Sequence, residues 1–245
     1  MGLQAGVQLS TFRGKMESEE EFRTLCARLE ALGCRAVQAQ WHFPELTPEF
    51  LAGELKGHGF SCVSTQDSYD AACLDEARTV RLLSLCGGEY FCVSGVPERY
   101  DTPAGLAAYA RALETLCARL GAVGLRVLFH PRAKELQGQT EFLMDRVPAL
   151  ELCLDAYHFL LAGVAPEKAL ARWPGRVPML HCKDKDAAGR LTPVGQGVTD
   201  WPPILRAAEA AGVRWAMAEQ ETWAKDPVDC MADSLAYLTA QGLVL

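Results

Sequence analysis

The chain has 245 residues, of which 49% are hydrophobic and 22% are charged, and it carries a formal net charge of −7. This composition is typical of a globular protein that can bury a large core. The acidic balance argues against a nucleic-acid-binding surface, which needs clustered lysine and arginine. It also gives no reason to expect binding to anionic membranes.

The sequence does not indicate a targeting segment or a disulfide framework. The N-terminus lacks the basic and apolar pattern of a signal peptide, and no apolar run is long enough to span a bilayer. The ten cysteines are dispersed through helix and strand patterns without a CxxC pair. We therefore expect buried free thiols and a reducing, cytoplasmic location.

Short apolar runs alternate with amphipathic helical patterns along the chain. The predicted strands cover residues 6–9, 35–39, 60–64, 90–93 and 125–129, and three more strands end near residues 155, 181 and 219. The predicted helices cover residues 18–32, 48–56, 75–85, 103–120, 140–146, 166–173, 200–211 and 228–240. Ser18 and Glu21 have the spacing of a capping box at the start of the first helix, and Gly33 fits its end.

This alternation predicts an α/β fold with a single (β/α)8 TIM barrel over residues 1–245. A doubly wound sheet is the competing architecture, but it seldom needs eight strand–helix repeats, and the chain has no glycine-rich phosphate loop. The strands of such a barrel are parallel, so their C-terminal ends share one rim. That rim is where α/β barrels carry their chemistry.

Three of the strand patterns end in a residue that can hold a divalent cation. The apolar runs 152–154, 178–180 and 215–218 are followed by Asp155, His181 and Glu219. On neighbouring parallel strands these side chains would meet at the rim and offer one imidazole nitrogen and several carboxylate oxygens. This donor set predicts a site for Mn²⁺, with Mg²⁺, Co²⁺ or Zn²⁺ as alternatives, and leaves positions for substrate oxygens.

A fourth metal ligand is expected from the fifth strand, where two residues compete. His130 stands directly at the strand end, whereas Glu135 lies in the following loop. Glu135 is preferred because a second glutamate would better neutralise the cation, and His130 would then contact the substrate. The alternative for Glu135 is a solvated loop acid beside Lys134.

Other polar residues lie just beyond these strand ends. His158 would hydrogen-bond a substrate hydroxyl or orient Asp155. Lys183 alternates onto the cavity face, where its ammonium would stabilise a developing oxyanion. Glu221, further out along the eighth-strand face, is a candidate acid/base or substrate ligand.

The loop after the seventh strand is predicted to be held by one acid. Asp184 should point away from the cavity and tie down the loop, residues 195–197 should form a flexible turn, and Asp200 should be the N-cap of the next helix. Four ring-bearing side chains fall near predicted rim loops, namely Trp41, His42, Trp201 and Trp223.

The chain resembles the sugar phosphate isomerase/epimerase family, the xylose isomerase-like barrels that include inosose dehydratase, inosose isomerase and ketose 3-epimerases. Its most specific matching segments are Leu-Asp-Ala-Tyr-His (154–158), Leu-His-Cys-Lys-Asp (180–184), Val-Gly-Gln-Gly-Val-Thr-Asp-Trp (194–201) and Ala-Glu-Gln-Glu (218–221). The resemblance implies one divalent metal held by Glu, Asp, His and Glu from the last four strands. Asp155, His181 and Glu219 match three of these ligands.

The fifth-strand segment resembles the branch of the family with a Tyr-His-Asn-His-x-x-Glu-Phe motif, in which Glu135 matches the glutamate. The chain departs from that motif where Pro131 replaces the asparagine and Arg132 replaces the second histidine. It also carries Gln38 where the second strand of the family often ends in a glutamate.

The implied reaction is metal-assisted proton transfer next to the carbonyl of a sugar or sugar-like polyol, through an ene-diolate. Glu219 or Glu135 would exchange the proton. His158 and Lys183 would position the oxygens. The favoured activity is therefore that of a sugar isomerase or epimerase.

The remaining substrate contacts would come from His130, Glu221, Arg132 and Trp201. Arg132 would recognise an anionic group. Trp201 would stack on a sugar ring or, as is more common for a tryptophan, pack in the core. A dehydratase or lyase of a keto-sugar or inosose is the alternative, because expulsion of a β-hydroxyl passes through the same intermediate.

Two other functions are weighed against this one. A metal-dependent endonuclease needs a histidine-rich multi-metal cluster and a basic DNA face, which five histidines and a charge of −7 disfavour. A non-catalytic sugar-binding relative is left open by the altered fifth-strand motif. The expected partner is a small sugar or polyol, with neither nucleic acid nor membrane, and an exposed apolar helix face would allow a homodimer.

Overall fold

Eight parallel strands close into a barrel in the computed structural model, which describes residues 2–40 and 46–245. The strands in chain order are β1 (Gln4–Gln8), β2 (Ala36–Gln40), β3 (Ser61–Ser68), β4 (Tyr90–Ser94), β5 (Arg126–His130), β6 (Glu151–Asp155), β7 (Met179–Cys182), β8 (Asp184–Lys185), β9 (Leu191–Thr192) and β10 (Trp215–Ala218). The barrel order is β1-β10-β7-β6-β5-β4-β3-β2, and β1 closes it by pairing with both β10 and β2. Strands β8 and β9 form a separate antiparallel hairpin. The predicted TIM-barrel fold is confirmed.

Helices follow the strands and cover the outside of the barrel. They are α1 (Glu19–Ala31), α2 (Pro48–Gly57), α3 (Tyr69–Leu74), α4 (Glu76–Cys86), α5 (Pro103–Gly121), α6 (Gln139–Arg146), α7 (Ala156–Leu161), α8 (Pro166–Arg172), α9 (Trp201–Ala210) and α10 (Pro227–Ala240). Short 3-10 turns cover Leu9–Phe12, Glu98–Tyr100 and Ala133–Leu136. Within the described residues, no helix is long and apolar enough to cross a membrane.

The first helix shows how local sequence sets these elements. Ser18 Oγ accepts a hydrogen bond from the Glu21 amide at 3.2 Å, and the Glu21 carboxylate accepts one from the Ser18 amide at 3.0 Å. This reciprocal pair is the predicted capping box, and it satisfies two amide groups that the helix itself leaves free. The apolar face of α1 then buries Phe22, Leu25 and Leu29 against the barrel.

The sequence pattern missed the shortest elements. Helices α3 and α7 have six residues each, and the hairpin strands β8 and β9 have two each. Such segments are shorter than the window over which periodicity can be recognised. Strand β3 also runs to Ser68, beyond its predicted end at residue 64, because its last residues are polar. Trp41 and His42 lie outside the described residues.

The barrel interior is filled by one side chain or two from most strands. Its members, which alternate with outward-facing residues, are Ala36, Val63, Tyr90, Cys92, Leu128, Cys153, Met179, Trp215 and Met217. On β1, the neighbouring strand β2 lies so close that only a glycine fits at position 6. A Cβ added to Gly6 would lie 2.5 Å from the Ala36 carbonyl oxygen. A second, larger core packs the outer strand faces against the helices. Eight of the ten cysteines are buried and pack as small apolar groups.

One buried carboxylate holds the loop that leads from β9 to α9. Asp184 is fully buried, and its oxygens accept hydrogen bonds from the amides of Gly195, Gly197 and Thr199 at 3.0–3.3 Å. The indole nitrogen of Trp201 donates to the same carboxylate at 2.9 Å. The prediction that Asp184 ties down this loop is confirmed.

The glycines of this loop are required by packing rather than by flexibility. An added Cβ at Gly197 would lie 2.2 Å from Asp184 Oδ1, and one at Gly195 would lie 2.2 Å from the Tyr237 ring. Asp200 does occupy the N-cap position of α9, but its side chain makes no capping hydrogen bond. The loop therefore depends on Asp184 and not on Asp200.

We expect Asp184→Asn to lower the free energy of unfolding by about 1.5–3 kcal/mol, because the amide removes the charge that several N–H donors share and turns one acceptor into a donor. Asp200→Asn is the matched control and should change it by less than about 0.5 kcal/mol. Urea denaturation of both variants measures the difference. Equal effects would contradict the anchoring role of Asp184.

Candidate functional site

A layer of polar side chains caps the apolar barrel interior at the C-terminal rim. Side chains alternate along a strand, so the residue two positions beyond an interior residue also faces inward. On five strands an interior residue is followed two positions later by a polar rim residue that also faces inward. The pairs are Ala36 and Gln38, Leu128 and His130, Cys153 and Asp155, Met179 and His181, and Met217 and Glu219. Asp155 and His181 are also direct partners in the β6–β7 register. The barrel geometry thus brings these chemically capable residues together.

Three of these residues form a group that could hold a metal ion. One ligand atom each from His130, Asp155 and His181 lies within 4.8 Å of the other two, and all three residues are buried. His130 Nε2 is 3.5 Å from Asp155 Oδ2. Among the described residues, both ring nitrogens of His130, Asp155 Oδ2 and His181 Nδ1 have no hydrogen-bond partner. Buried polar atoms without partners are costly, so this donor set fits a bound cation.

Glu219 lies beside this group without being part of it. Its Oε2 atom is 2.9 Å from His181 Nδ1, yet neither atom has a hydrogen-bond partner of acceptable geometry. Its other oxygen, Oε1, accepts a hydrogen bond from Ser10 Oγ at 3.1 Å. The Glu219 carboxylate therefore has one held oxygen and one free oxygen.

The cation of the site is Lys183, which is only 3% exposed. Its ammonium nitrogen is 3.3 Å from Glu219 Oε1, 3.5 Å from Asp155 Oδ2 and 3.5 Å from Glu221 Oε2. Burial alone would lower the pKa of Lys183, but these carboxylates outweigh burial and hold its pKa above the usual range. The predicted placement of Lys183 in the cavity agrees with this geometry.

The same ion pairs keep the buried acids ionised. Burial alone would raise the pKa of Glu219, but the Lys183 ammonium outweighs it and the pKa is lowered to about 2. Burial would likewise raise the pKa of Asp155, and Lys183 again reverses the shift and holds it well below its usual range. The two buried carboxylates carry more negative charge than the single Lys183 ammonium neutralises. A divalent cation would offset the excess.

Two imidazoles at the rim, those of His130 and His158, have lowered pKa values. Burial lowers the pKa of both His130 and His158, and the nearby Asp155 carboxylate offsets only part of that shift. His158 Nε2 is 3.8 Å from Asp155 Oδ2. A neutral imidazole keeps a lone pair, which is what a metal or a substrate hydroxyl requires.

Asp155 has a second role that the sequence pattern did not reveal. It is the N-cap of α7, where its Oδ1 atom accepts hydrogen bonds from the amides of Tyr157 at 2.8 Å and His158 at 3.3 Å. This bond fixes the carboxylate so that Oδ2 faces the site. The unrecognised short helix therefore orients the acid.

Glu135 does not join the metal-capable group, contrary to its preferred role as fifth-strand ligand. It is fully buried, and its oxygens accept hydrogen bonds from the amides of Val96 at 3.2 Å and Arg132 at 2.8 Å. The Lys134 ammonium lies 3.6 Å from Glu135 Oε1, so the partners of Glu135 are two backbone amides and a lysine. His130 is the fifth-strand residue that reaches the group, in place of its expected substrate contact.

The remaining predicted substrate contacts separate into accessible and inaccessible side chains. Trp201 is fully buried with its indole nitrogen bound to Asp184, so its predicted stacking on a sugar ring is wrong. Arg132 and Glu221 are exposed near the rim. Trp223 is half-buried and donates its indole N–H to the Gln220 carbonyl at 2.8 Å.

An eight-stranded parallel barrel with its polar side chains gathered at the C-terminal rim defines a TIM-barrel protein. Residues 26–241 match the family model described as the xylose isomerase-like TIM barrel, and the chain belongs to that family. No curated protein matches the chain.

Solved structures with this fold are similar over nearly the whole chain. A sugar phosphate isomerase/epimerase from Parabacteroides distasonis has a TM-score of 0.82 at 14% identity, with 98% of this chain and 94% of that chain covered. A D-allulose 3-epimerase from Methylomonas sp. has a TM-score of 0.77 at 16% identity, with 98% of each chain covered. A probable 3-DHS dehydratase from Bacillus anthracis has a TM-score of 0.74 at 14% identity, with 97% and 99% covered. At such identities the likeness shows the fold alone.

We expect Lys183→Met to lower the free energy of unfolding by about 3–5 kcal/mol at pH 7 in EDTA, because it leaves buried carboxylates without their cation. Glu219 has a folded pKa of about 2, below its ordinary 4.5. Its ionised form therefore stabilises the fold above pH 4.5, and this stabilisation is lost as the pH falls towards about 2. Without Lys183 the folded pKa of Glu219 rises, so the penalty of the variant should shrink on acidification.

Urea denaturation at pH 7 and at pH 4 measures this dependence. Lys185→Met is the matched control, because the Lys185 ammonium lies 5.6 Å from the Tyr157 ring and makes no ion pair in the described part of the chain. Its effect should stay below about 1 kcal/mol. A Lys183→Met penalty that persists unchanged at pH 4 would contradict the electrostatic account.

Proposed function

We propose that this protein is a divalent-metal-dependent isomerase or epimerase that moves a proton next to the carbonyl of a sugar or sugar-like polyol. The observation that carries the proposal is the buried set of partnerless donor atoms on His130, Asp155 and His181, with Glu219 and Lys183 directly beside it. Membership of the xylose isomerase-like family supports the same assignment.

His130, Asp155 and His181 would hold the cation, with Glu219 as the neighbouring acid able to join them. Two imidazoles together with carboxylates favour Mn²⁺, Co²⁺ or Zn²⁺ over Mg²⁺, which prefers oxygen ligands. When bound, such a cation polarises a carbonyl and makes the adjacent C–H more acidic.

Glu219 is the residue that would take and return the proton. Its Oε1 atom is held by Ser10 and Lys183, whereas Oε2 has no hydrogen-bond partner and is free to accept a proton. The carboxylate is ionised at neutral pH because its pKa is held at about 2. It is therefore already in the form that a general base requires.

Lys183 would stabilise the negative charge that develops on the substrate oxygen. Its high pKa keeps the ammonium protonated, so it donates hydrogen bonds and does not act as a nucleophile. Turning the ammonium towards a substrate oxygen would weaken its pull on Glu219. The basicity of Glu219 would then rise when the substrate is in place.

The substrate would be oriented by polar groups around this pair. His158 is neutral, partly accessible and has a partnerless Nδ1 atom, which suits a hydrogen bond to a hydroxyl. Glu221, with a side chain that is 55% exposed, would bind hydroxyls at the mouth of the barrel. Arg132 would meet an anionic group of the substrate. Loss of a β-hydroxyl from the same intermediate would make the enzyme a dehydratase instead.

We expect the purified protein to contain about one divalent metal ion per chain, and His130→Ala, Asp155→Ala and His181→Ala each to lose it, because each removes one donor. Glu135→Gln is the matched control and should retain the metal, since Glu135 bonds to backbone amides. Elemental analysis after incubation with Mn²⁺ and gel filtration measures the metal content of each variant. Metal loss in Glu135→Gln with retention in His130→Ala would reverse the assignment of the fifth-strand ligand.

We expect Glu219→Gln to reduce solvent-deuterium exchange into a ketose or inosose by about 10²–10⁴-fold, because the amide cannot accept the proton. Mass spectrometry of substrates incubated in D₂O measures the exchange at saturating Mn²⁺, with metal content checked in the same samples. Exchange within tenfold of the wild-type rate would exclude Glu219 as the base. Metal binding without exchange into any sugar in the wild-type protein would favour a non-catalytic binding protein.

A further inference from the structure

We propose that two buried glutamines, Gln8 and Gln38, fix the tautomer of His181 so that Nε2 carries the proton and the Nδ1 lone pair faces the candidate metal site. The proposal rests on the proposed function in that Nδ1 is taken as the atom that binds the cation. Gln8 and Gln38 are positioning residues, because they act through His181 and not on the substrate.

The central contact joins Gln38 to two donors. Gln38 Oε1 lies 2.6 Å from His181 Nε2 and accepts a hydrogen bond from Gln8 Nε2 at 2.8 Å. All three side chains are fully buried, so water does not compete for these groups. An amide oxygen can only accept, and His181 Nε2 must therefore carry the proton of this bond.

The position of the His181 proton depends on how the two glutamine amides are oriented. A backbone amide fixes the orientation of Gln8. The Ser10 N–H donates to Gln8 Oε1 at 3.2 Å. A backbone N–H can only donate, so the oxygen of Gln8 faces Ser10 and its NH₂ group faces Gln38. Gln38 must then present its oxygen to Gln8.

A backbone carbonyl fixes the orientation at the other end. Ser64 Oγ donates its proton to the Thr65 carbonyl at 2.8 Å, which leaves the hydroxyl oxygen as an acceptor towards Gln38. Gln38 Nε2 donates to that oxygen at 3.2 Å. Both anchors therefore give Gln38 the same orientation, although one lies in the turn after β1 and the other on β3.

The barrel register places these groups side by side. Gln8 is paired with Gln38 between β1 and β2. The register between β2 and β3 shifts by one residue after Val37, which brings Gln38 opposite Ser64. The amide of Gln38 consequently lies between Gln8 and Ser64, and its oxygen is within hydrogen-bond distance of His181 Nε2.

The fixed tautomer prevents a competing contact inside the site. His181 Nδ1 lies 2.9 Å from Glu219 Oε2, and neither atom has another partner. A proton on Nδ1 would join the two atoms in a charge-assisted hydrogen bond and consume both. In the neutral ring, a proton on Nε2 leaves Nδ1 as a free lone pair and Glu219 Oε2 as a free oxygen.

The tautomer can be measured directly on metal-free wild-type protein. Ring ¹⁵N chemical shifts from long-range ¹H–¹⁵N spectra, recorded in EDTA at alkaline pH, distinguish a protonated Nε2 from a protonated Nδ1. The signal of His181 is identified by its absence in His181→Asn. We expect a protonated Nε2, and a protonated Nδ1 would overturn the proposal. Because no metal is present, this result is independent of the proposed function.

Gln38→Leu tests the cause of the preference. The variant removes the acceptor, so we expect the ring to shift its proton towards Nδ1 and Glu219, and the Kd for Mn²⁺ to rise roughly 10–100-fold. Gln66→Leu is the matched control, because Gln66 is a buried glutamine on β3 whose oxygen accepts from the Cys92 thiol. It should leave both the tautomer and the Kd unchanged.

Gln38→Glu provides a second variant in case the leucine does not fold. A carboxylate keeps the acceptor, so Nε2 should stay protonated in this variant. An unchanged tautomer and Kd in Gln38→Leu, or a protonated Nδ1 alone in Gln38→Glu, would overturn the proposal. Failure of the wild-type protein to bind Mn²⁺ would instead refute the proposed function while leaving the tautomer assignment in place.

Discussion

The alternation of side chains along closed parallel strands is the constraint on which the candidate site depends. A closed barrel has only one interior, so the inward-facing residues of all its strands must share it. Below the rim these residues are apolar, and two positions further along they become His130, Asp155, His181 and Glu219. A shift of one residue in a strand would turn its site residue towards the helices instead.

The polar layer created in this way is stable only because its charges are nearly balanced. Asp155 and Glu219 would be costly to bury as isolated carboxylates, and Lys183 reduces that cost by contacting both. A divalent cation in the site would bind the same two carboxylates. Binding of a metal there would therefore be coupled to the position of the Lys183 ammonium, which is the cation that contacts both carboxylates.

The strand ends were the most predictable part of the molecule. The residues Asp155, His181, Lys183 and Asp184 follow buried apolar runs, and the direction in which each side chain points follows from the period of two alone. Helix limits were also close, as in the capping box of Ser18. These features depend on patterns that are local in the sequence.

The errors concern contacts that no local pattern contains. Glu135 was expected to reach the metal because its charge suits a cation, but the amides of Val96 and Arg132 supply its partners after the chain folds back. Trp201 was expected to contact a sugar ring as one of two roles, yet its indole nitrogen donates to the buried Asp184 carboxylate and the ring packs in the core. The hydrogen bonds of Gln8 and Gln38 were missed for the same reason, since they link residues on four strands.

The replacement of Glu135 by His130 at the site limits the reactions that the proposed enzyme can perform. Among the described residues of the site, Glu219 has the free carboxylate oxygen that can exchange a proton, because Asp155 has one oxygen in the α7 cap and the other among the metal-capable atoms. Isomerisation can use a single base that returns the proton to the neighbouring carbon. Epimerisation returns it to the opposite face and needs a second group, for which neutral His158 is the available candidate. The single free carboxylate therefore favours isomerisation by Glu219, with epimerisation dependent on His158.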